Sequence, residues 1–181
     1  MAGADATHLF PCLPALRVFA RESSWITPAP LQTRRPAAPN WRTSFRKATA
    51  FNGARLDEVR FANCRAAGAS FVGANLQEAT IEGGDFSNTS FRAATLNATR
   101  ILNCKMTGSD FTDAKTLGFS IEGVLLVLAV LPRMSFRKMT LKEVDFTDAD
   151  LRSCDFREAV FEECSLRDAH LPECRFEGAD L

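Results

Sequence analysis

Large apolar residues recur at every fifth position from residue 51 to the end of the sequence. Counting from Phe51 in steps of five gives 27 positions, and 25 of them hold Phe, Leu, Ile or Met. Only Ala66 and Thr116 break the series. An α-helix would spread such positions around its whole surface, and a flat strand would alternate them between its two faces. The pattern therefore predicts a chain that turns a corner every five residues.

Small residues stand two positions before most of these apolar centres. The slot holds alanine or cysteine at Ala54, Cys64, Ala69, Ala74, Ala79, Ala94, Cys104, Ala114, Ala149, Cys154, Ala159, Cys164, Ala169, Cys174 and Ala179. One large and one small side chain per segment predict a short extended side with both residues pointing inward. Four such sides close a square coil, and coils stack at strand spacing, about 4.8 Å. We therefore expect an all-β solenoid of about seven coils, on the order of 30 Å long.

The five-residue segments also resemble a known consensus. They read ANLQE at 74–78, SDFTD at 109–113, ADLRS at 149–153 and CDFRE at 154–158. These segments are similar to the pentapeptide-repeat family, whose consensus is A-(D/N)-L-x-x. The resemblance covers roughly residues 48–181 and implies the family's right-handed, quadrilateral β-helix for that range.

One stretch, KTLGFSIEGVLLVLAVLPRM at 115–134, departs from the pattern because residues 124–131 are all apolar. We predict an apolar interruption of the repeat near 116–135, and two interpretations stay open. In the first, a short helix or loop folds back on the rod. An insertion of 20 residues equals one coil, so it would preserve the phase of the repeat.

In the second interpretation the coil continues and presents an exposed apolar patch. The outward residues would then be Leu125, Val127, Leu128 and Val130. Such a patch usually marks a surface for a protein partner or a membrane. The run is too short to span a bilayer, which takes ~20 residues, so no transmembrane span is expected. We predict these four residues as interface candidates.

Leu181 is the fifth interface candidate, because it is a core-type residue with no capping helix after it. The end of a solenoid exposes apolar core and unpaired backbone and is normally covered. A partner, a second copy in end-to-end contact or a longer natural chain would each provide the cover.

Charge is unevenly distributed along a chain whose formal net charge is zero. Residues 1–47 carry seven Lys/Arg and two acids, residues 48–142 carry eleven and eight, and residues 143–181 carry four and twelve. The first segment is also rich in proline and arginine, has scattered Ser and Thr and is poor in acids, a composition that suits an organelle transit peptide. A retained basic tail is the alternative. A short helix is expected near 13–25.

Residues that support catalysis or metal binding are scarce. Five of the six cysteines occupy the small inward slot and no C-x-x-C occurs, so we expect reduced thiols that act as small hydrophobic residues. His8 and His170 have no partner at a catalytic or metal-binding spacing. We expect no catalytic residue, no cofactor site and no metal site, and therefore a protein that is not an enzyme.

Two functions of different classes fit this sequence. The first is a non-enzymatic assembly protein, a rigid rod that binds protein partners as a subunit or assembly factor of a larger complex, for which an organellar membrane complex is one candidate. The family resemblance favours a chloroplast or thylakoid location, with the bacterial cytoplasm as the alternative. The second function, implied by some family members, is a DNA mimic that binds type II topoisomerases and protects them from inhibitors. Direct nucleic-acid binding is not expected, because the C-terminal third would repel DNA.

Overall fold

The computed structural model describes residues 40–41 and 49–181, all of which lie in one compact unit, Ala38–Leu181. Its strands are β1 (Asn40–Trp41), β2 (Arg60–Arg65), β3 (Thr80–Asp85), β4 (Arg100–Leu102), β5 (Ser120–Glu122), β6 (Thr140–Lys142) and β7 (Val160–Glu162). They form one parallel sheet in the order β1 to β7. Each strand pairs with the next at an offset of 20 residues, as Phe61 does with Ile81. The predicted all-β solenoid is confirmed.

The other three sides of each coil are joined by isolated parallel bridges with the same offset. Ala50 pairs with Ser70, Arg55 with Asn75 and Asp85 with Lys105, so bridges recur every five residues around the coil. We number the sides by their centres: side 1 holds Phe111 and Leu131, side 2 Thr116 and Phe136, side 3 Ile121 and Leu141, and side 4 Leu126 and Phe146. Residues 49–181 make six 20-residue turns and part of a seventh, slightly fewer turns than the sequence predicted.

The large apolar centres face the axis, as the five-residue period predicted, and phenylalanine rings stack along it. On side 1 the ring centroids of Phe51 and Phe71 are 4.7 Å apart, and those of Phe71 and Phe91 are 5.2 Å apart. On side 2 Phe156 lies between Phe136 at 4.9 Å and Phe176 at 5.0 Å. Each coil thus buries its apolar face only against its neighbours.

Every corner from residue 53 to residue 178 is made by a residue in the left-handed region. It stands two positions after the centre, as Gly53 does at φ 64° and Glu58 at φ 59°. At most corners the residue after it donates a backbone hydrogen bond to the centre, as Ala54 N does to Phe51 O at 3.0 Å. A hydrogen-bonded turn with positive φ at its third residue is a type II turn. This turn is what folds a strand-like segment into a square.

The aspartate or asparagine of the repeat has a backbone role. Where an Asp or Asn stands directly before a centre, its side chain accepts a hydrogen bond from the backbone N–H of the residue directly after that centre. Asp110 Oδ1 accepts from Thr112 N at 2.9 Å, and Asp145 Oδ1 accepts from Thr147 N at 2.9 Å. The consensus (D/N)-L-x thus satisfies a donor that the coil geometry leaves unpaired.

Residues 115–134 form a regular coil of the solenoid. Leu125 bridges to Lys105 on one side and to Asp145 on the other, and Val130 bridges to Asp110 and Asp150. The ladder therefore runs through this stretch, and the interpretation of a looped-out segment or a short helix does not hold. The apolar run lies within the coil and does not interrupt it.

The ladder does open at a seam on side 2, between Lys115 and Ser135. Thr95 bridges to Lys115 and Ser135 bridges to Asp155, but within residues 49–181 no bridge joins Lys115 to Ser135. Side-chain size accounts for this: Thr116 occupies a centre that holds leucine or phenylalanine in the other coils of side 2, and Phe119 is buried in a slot that holds no aromatic residue in any other coil. The bulky ring at the slot spreads the two coils on this side.

Of the N-terminal segment 1–47, interpreted as a transit peptide or a retained tail, the structure describes only residues 40–41, which form β1 beside β2. The helix expected near 13–25 lies outside the described residues. In the part of the chain that the structure describes, no helix is long and apolar enough to cross a membrane.

Candidate protein-interaction surface

The four interface candidates within residues 125–130 form one apolar band across sides 4 and 1. Leu125 lies at the middle of side 4, Leu128 at the corner and Val130 at the middle of side 1. Leu128 is 59% exposed and Leu125 is 44% exposed, whereas Val127 and Val130 are half-buried. The sequence-based interpretation of an outward apolar patch thus agrees with the positions of all four side chains. We call Leu125, Val127, Leu128 and Val130 the apolar band.

Leu128 has an unfavourable backbone conformation for its type, with φ 57°. A bulky non-glycine residue in the left-handed region costs about 1–2 kcal/mol, whereas glycine, asparagine and aspartate adopt it more easily. Neighbouring coils hold Gly108 and Asp148 at the same corner. Leucine at this corner therefore contributes neither favourable backbone conformation nor core packing, and its exposed side chain is available for contact.

Polar and charged residues border the band on both sides. The coil before it has Lys105 and Asp110 in the columns of Leu125 and Val130, and the coil after it has Asp145 and Asp150 there. Arg152 donates hydrogen bonds to Asp150 and lowers the pKa of that carboxyl. The border is therefore predominantly acidic at neutral pH.

Leu181, the fifth candidate, is 78% exposed, and 50 residues, about two and a half coils, separate it from the band along the rod. The structure therefore does not bring it together with the other four candidates.

Sequence reasoning missed the most exposed apolar residue of the described chain, Leu117, at 82% exposure. The five-residue phase contained the signal, because a residue directly after a centre points outward. Leu117 is a single outward leucine outside the unbroken apolar run at 124–131, so no local cluster marks it. Val72, 38% exposed, was missed for the same reason.

The described residues offer little for catalysis. They hold no group of three or more His, Cys, Asp or Glu side chains arranged to bind a metal ion. Cys104 and Cys154 point inward, and burial raises the pKa of each thiol to about 12. The Cys154 thiol donates to the Leu131 carbonyl oxygen at 3.0 Å, so it fills the role of a small hydrogen-bonding core residue.

Low pH should reduce the thermal stability of the solenoid, because it protonates carboxylates that are paired with arginine. Arg157 donates to Asp155 at 2.8 and 2.6 Å and lowers the pKa of that carboxyl from 3.8 to about 2. Because the folded pKa is depressed, the stabilisation is complete above the unfolded pKa and is lost as pH falls from about 4 to about 2. We expect the melting temperature to fall over this range, and to fall less steeply in Asp155→Asn.

Thermal melts at pH 6, 4, 3 and 2 measure this difference. The control is Asp57→Asn, because Asp57 is exposed and forms no ion pair with any residue that the structure describes. A slope in Asp155→Asn equal to that of the unmodified protein contradicts the assignment.

Comparison with known proteins relates the repeat to a described family. A family profile described as "Pentapeptide repeat region" matches residues 54–131, and one described as "Pentapeptide repeats (8 copies)" matches residues 129–157 and 145–181. None of the curated proteins matches this sequence.

Solved structures with a similar fold include HetL, a pentapeptide repeat protein involved in heterocyst differentiation regulation from the cyanobacterium Nostoc sp. strain PCC 7120. The two chains share 21% identity with a TM-score of 0.70 over 76% of this chain, which spans 63% of the length of HetL. A trypsin-treated form of QnrB1, a plasmid-mediated fluoroquinolone resistance protein, shares 19% identity with a TM-score of 0.62 over 80% of this chain and 90% of QnrB1. At these identities the likeness concerns the fold alone.

Proposed function

The chain belongs to the pentapeptide-repeat family, and from that premise we propose that it is a non-enzymatic scaffold, a rigid rod that binds a protein partner and serves as a subunit or assembly factor of a larger complex. The observation that carries this proposal is the apolar band, because four outward apolar side chains lie side by side between polar and charged residues of the two neighbouring coils.

The physical properties of the band suit protein binding. Full burial of one leucine or valine side chain contributes about 1.5–3 kcal/mol, so covering the exposed parts of four such residues provides a substantial part of a binding energy. The hydrogen-bonded ladder fixes Leu125 and Val130 from both neighbouring coils, so little backbone ordering is needed on binding. The rim of Asp145, Asp148 and Asp150 favours a partner with basic residues beside its apolar contact.

The DNA-mimic function is the second candidate, supported by the acidic residues of 143–181 and by the similarity in fold to QnrB1. A mimic requires acidic residues along the whole rod. The first described coil instead has Arg55, Arg60 and Arg65 at the middle of three successive sides. An apolar band in the middle of a rod whose charge changes from basic to acidic along its length fits a scaffold better.

Leu128→Asp should weaken partner binding at least tenfold without lowering the melting temperature. The substitution places a charge in the centre of the band, and aspartate adopts the left-handed conformation more readily than leucine. Quantitative affinity purification from the source organism, followed by mass spectrometry of the proteins recovered with each variant, measures the effect.

The matched control is Leu117→Asn, which removes an exposed leucine from the same coil but not from the band. Partners that disappear with Leu128→Asp and persist with Leu117→Asn support the scaffold. Recovery of gyrase subunits alone would favour the DNA mimic, and a large loss of thermal stability in Leu128→Asp would show that Leu128 supports the fold.

A further inference from the structure

A second distinctive surface lies at the corner between sides 2 and 3, diagonally across the coil from the apolar band. Over three successive coils its outward residues are Thr95, Asn97, Ala98 and Arg100, then Lys115, Leu117, Gly118 and Ser120, then Ser135, Arg137, Lys138 and Thr140. These twelve residues include four cations, no acid and the exposed Leu117. We call this surface the basic corner.

The opposite corner has the reverse character over the same three coils. Its twelve outward residues are Lys105, Thr107, Gly108 and Asp110, then the apolar band, then Asp145, Thr147, Asp148 and Asp150. That surface has one cation and four acids. The middle of the rod is therefore electrostatically polarised across its width, in addition to the gradient of charge along its length.

Leu117 projects from the centre of the basic corner, beside the seam in the ladder. Its backbone N–H is held by Asn97 Oδ1 at 3.0 Å, and its carbonyl oxygen accepts from Ala98 N at 2.8 Å. Both bonds lead to the preceding coil. Within the described residues, no backbone hydrogen bond joins Thr116 or Gly118 to the following coil. The backbone at Leu117 is thus held by the preceding coil, and the residue is 82% exposed.

Two of the four cations take part in no salt bridge of the described chain. Arg100 and Lys115 form no ion pair with any residue in the described part of the chain. Arg137 and Lys138 share a single carboxylate, Glu158, at 2.8 and 3.3 Å. The corner therefore retains a positive charge after its internal pairs are counted.

We propose that the basic corner docks the protein on an anionic lipid bilayer, with the cations at the headgroup level and Leu117 inserted into the interfacial layer. Each Lys or Arg near an anionic bilayer adds attraction, and an apolar side chain among them adds insertion energy. The corner is convex and has one protruding leucine, so it fits a broad, deformable anionic surface better than it encloses an acidic peptide. The acid-bordered apolar band then faces away from the bilayer.

The test uses the full chain and sedimentation with two kinds of vesicle, phosphatidylcholine alone and phosphatidylcholine with about 30% phosphatidylserine. We expect binding only to the anionic vesicles, and weaker binding as salt increases. Arg100→Gln/Lys115→Gln should weaken partitioning about 30-fold, the value expected for two lost cations. Leu117→Asn should weaken it about tenfold, through the loss of one inserted leucine.

Leu128→Asn is the matched control, because it removes an exposed leucine from the opposite corner, and its vesicle binding should equal that of the unmodified protein. Circular dichroism of each variant verifies the fold. Undiminished binding of Arg100→Gln/Lys115→Gln would assign membrane affinity to the basic residues of 1–47 and overturn the proposal. Absence of binding to anionic vesicles would also overturn it. If the protein binds soluble polyglutamate but not the vesicles, the result would favour an acidic protein partner for the basic corner.

Discussion

Phe156→Ala is expected to lower the free energy of unfolding by about 3–5 kcal/mol, the range for removing a fully buried phenylalanine. Phe156 is inaccessible to solvent and lies in the ring stack between Phe136 and Phe176. It also meets Phe146 edge to face, with ring centroids 6.4 Å apart. The hydrogen-bonded coils above and below fix the backbone, so the cavity cannot collapse fully.

The same substitution at Phe176 is the matched control. That ring belongs to the same stack but is only partly buried, so Phe176→Ala should cost clearly less. Urea unfolding monitored by circular dichroism gives both values. Because each coil contacts only its neighbours, hydrogen exchange should accelerate first around residues 136–176 and later around Phe51 to Phe111. Equal losses for the two variants would contradict the assigned difference in burial.

Gly84→Ala is expected to destabilise the rod by about 3 kcal/mol or more, although alanine is the commonest residue of the small slot that Gly84 occupies. Gly84 has φ 99°, a conformation strained for any L side chain. An added Cβ would overlap the Cys64 carbonyl oxygen and lie 2.7 Å from the Cys64 nitrogen. Those atoms belong to the backbone of β2, which pairs with β3, so neither chain can shift cheaply.

Gly73→Ala is the matched control, because it carries the conformational cost of an L residue with positive φ but not the steric clash that Gly84→Ala makes with the Cys64 backbone. Gly73 has φ 66° at an ordinary corner, and an added Cβ would meet no atom within 4 Å. Its substitution should cost about 1–2 kcal/mol, the ordinary cost of a left-handed L residue. Thermal and urea unfolding of the two variants measure the difference. A Gly84→Ala variant no less stable than Gly73→Ala would show that β2 and β3 are less closely packed than described.

The sequence carried most of the information about the fold because the repeat is local. A large residue every five positions and a small one two before it suffice to predict an inward-facing, four-sided solenoid. The structure bears this out from the Phe51 stack to the Phe176 stack. The outward positions followed from the same phase, so Leu125 and Leu128 were found without coordinates.

Where the repeat is irregular, the sequence alone did not predict the local structure, because hydrogen-bond pairing between coils determines the conformation there. Residues 115–134 equal one coil in length, so phase alone could not distinguish a continuous coil from an insertion. The bridges of Leu125 to Lys105 and Asp145 did so. The local pattern likewise favours alanine at position 84, which the close approach of the Cys64 backbone forbids.

By itself the sequence determined that a chain of five-residue sides closes around large apolar centres, since that requirement acts within each segment. Only the tertiary structure decided which outward residues become neighbours, because a position meets its counterpart 20 residues away and not the residues beside it in the chain. That stacking placed the apolar band above an acidic border and gathered Arg100, Lys115, Leu117 and Arg137 on one corner. The proposed contact surfaces of this rod therefore depend on how its coils are stacked.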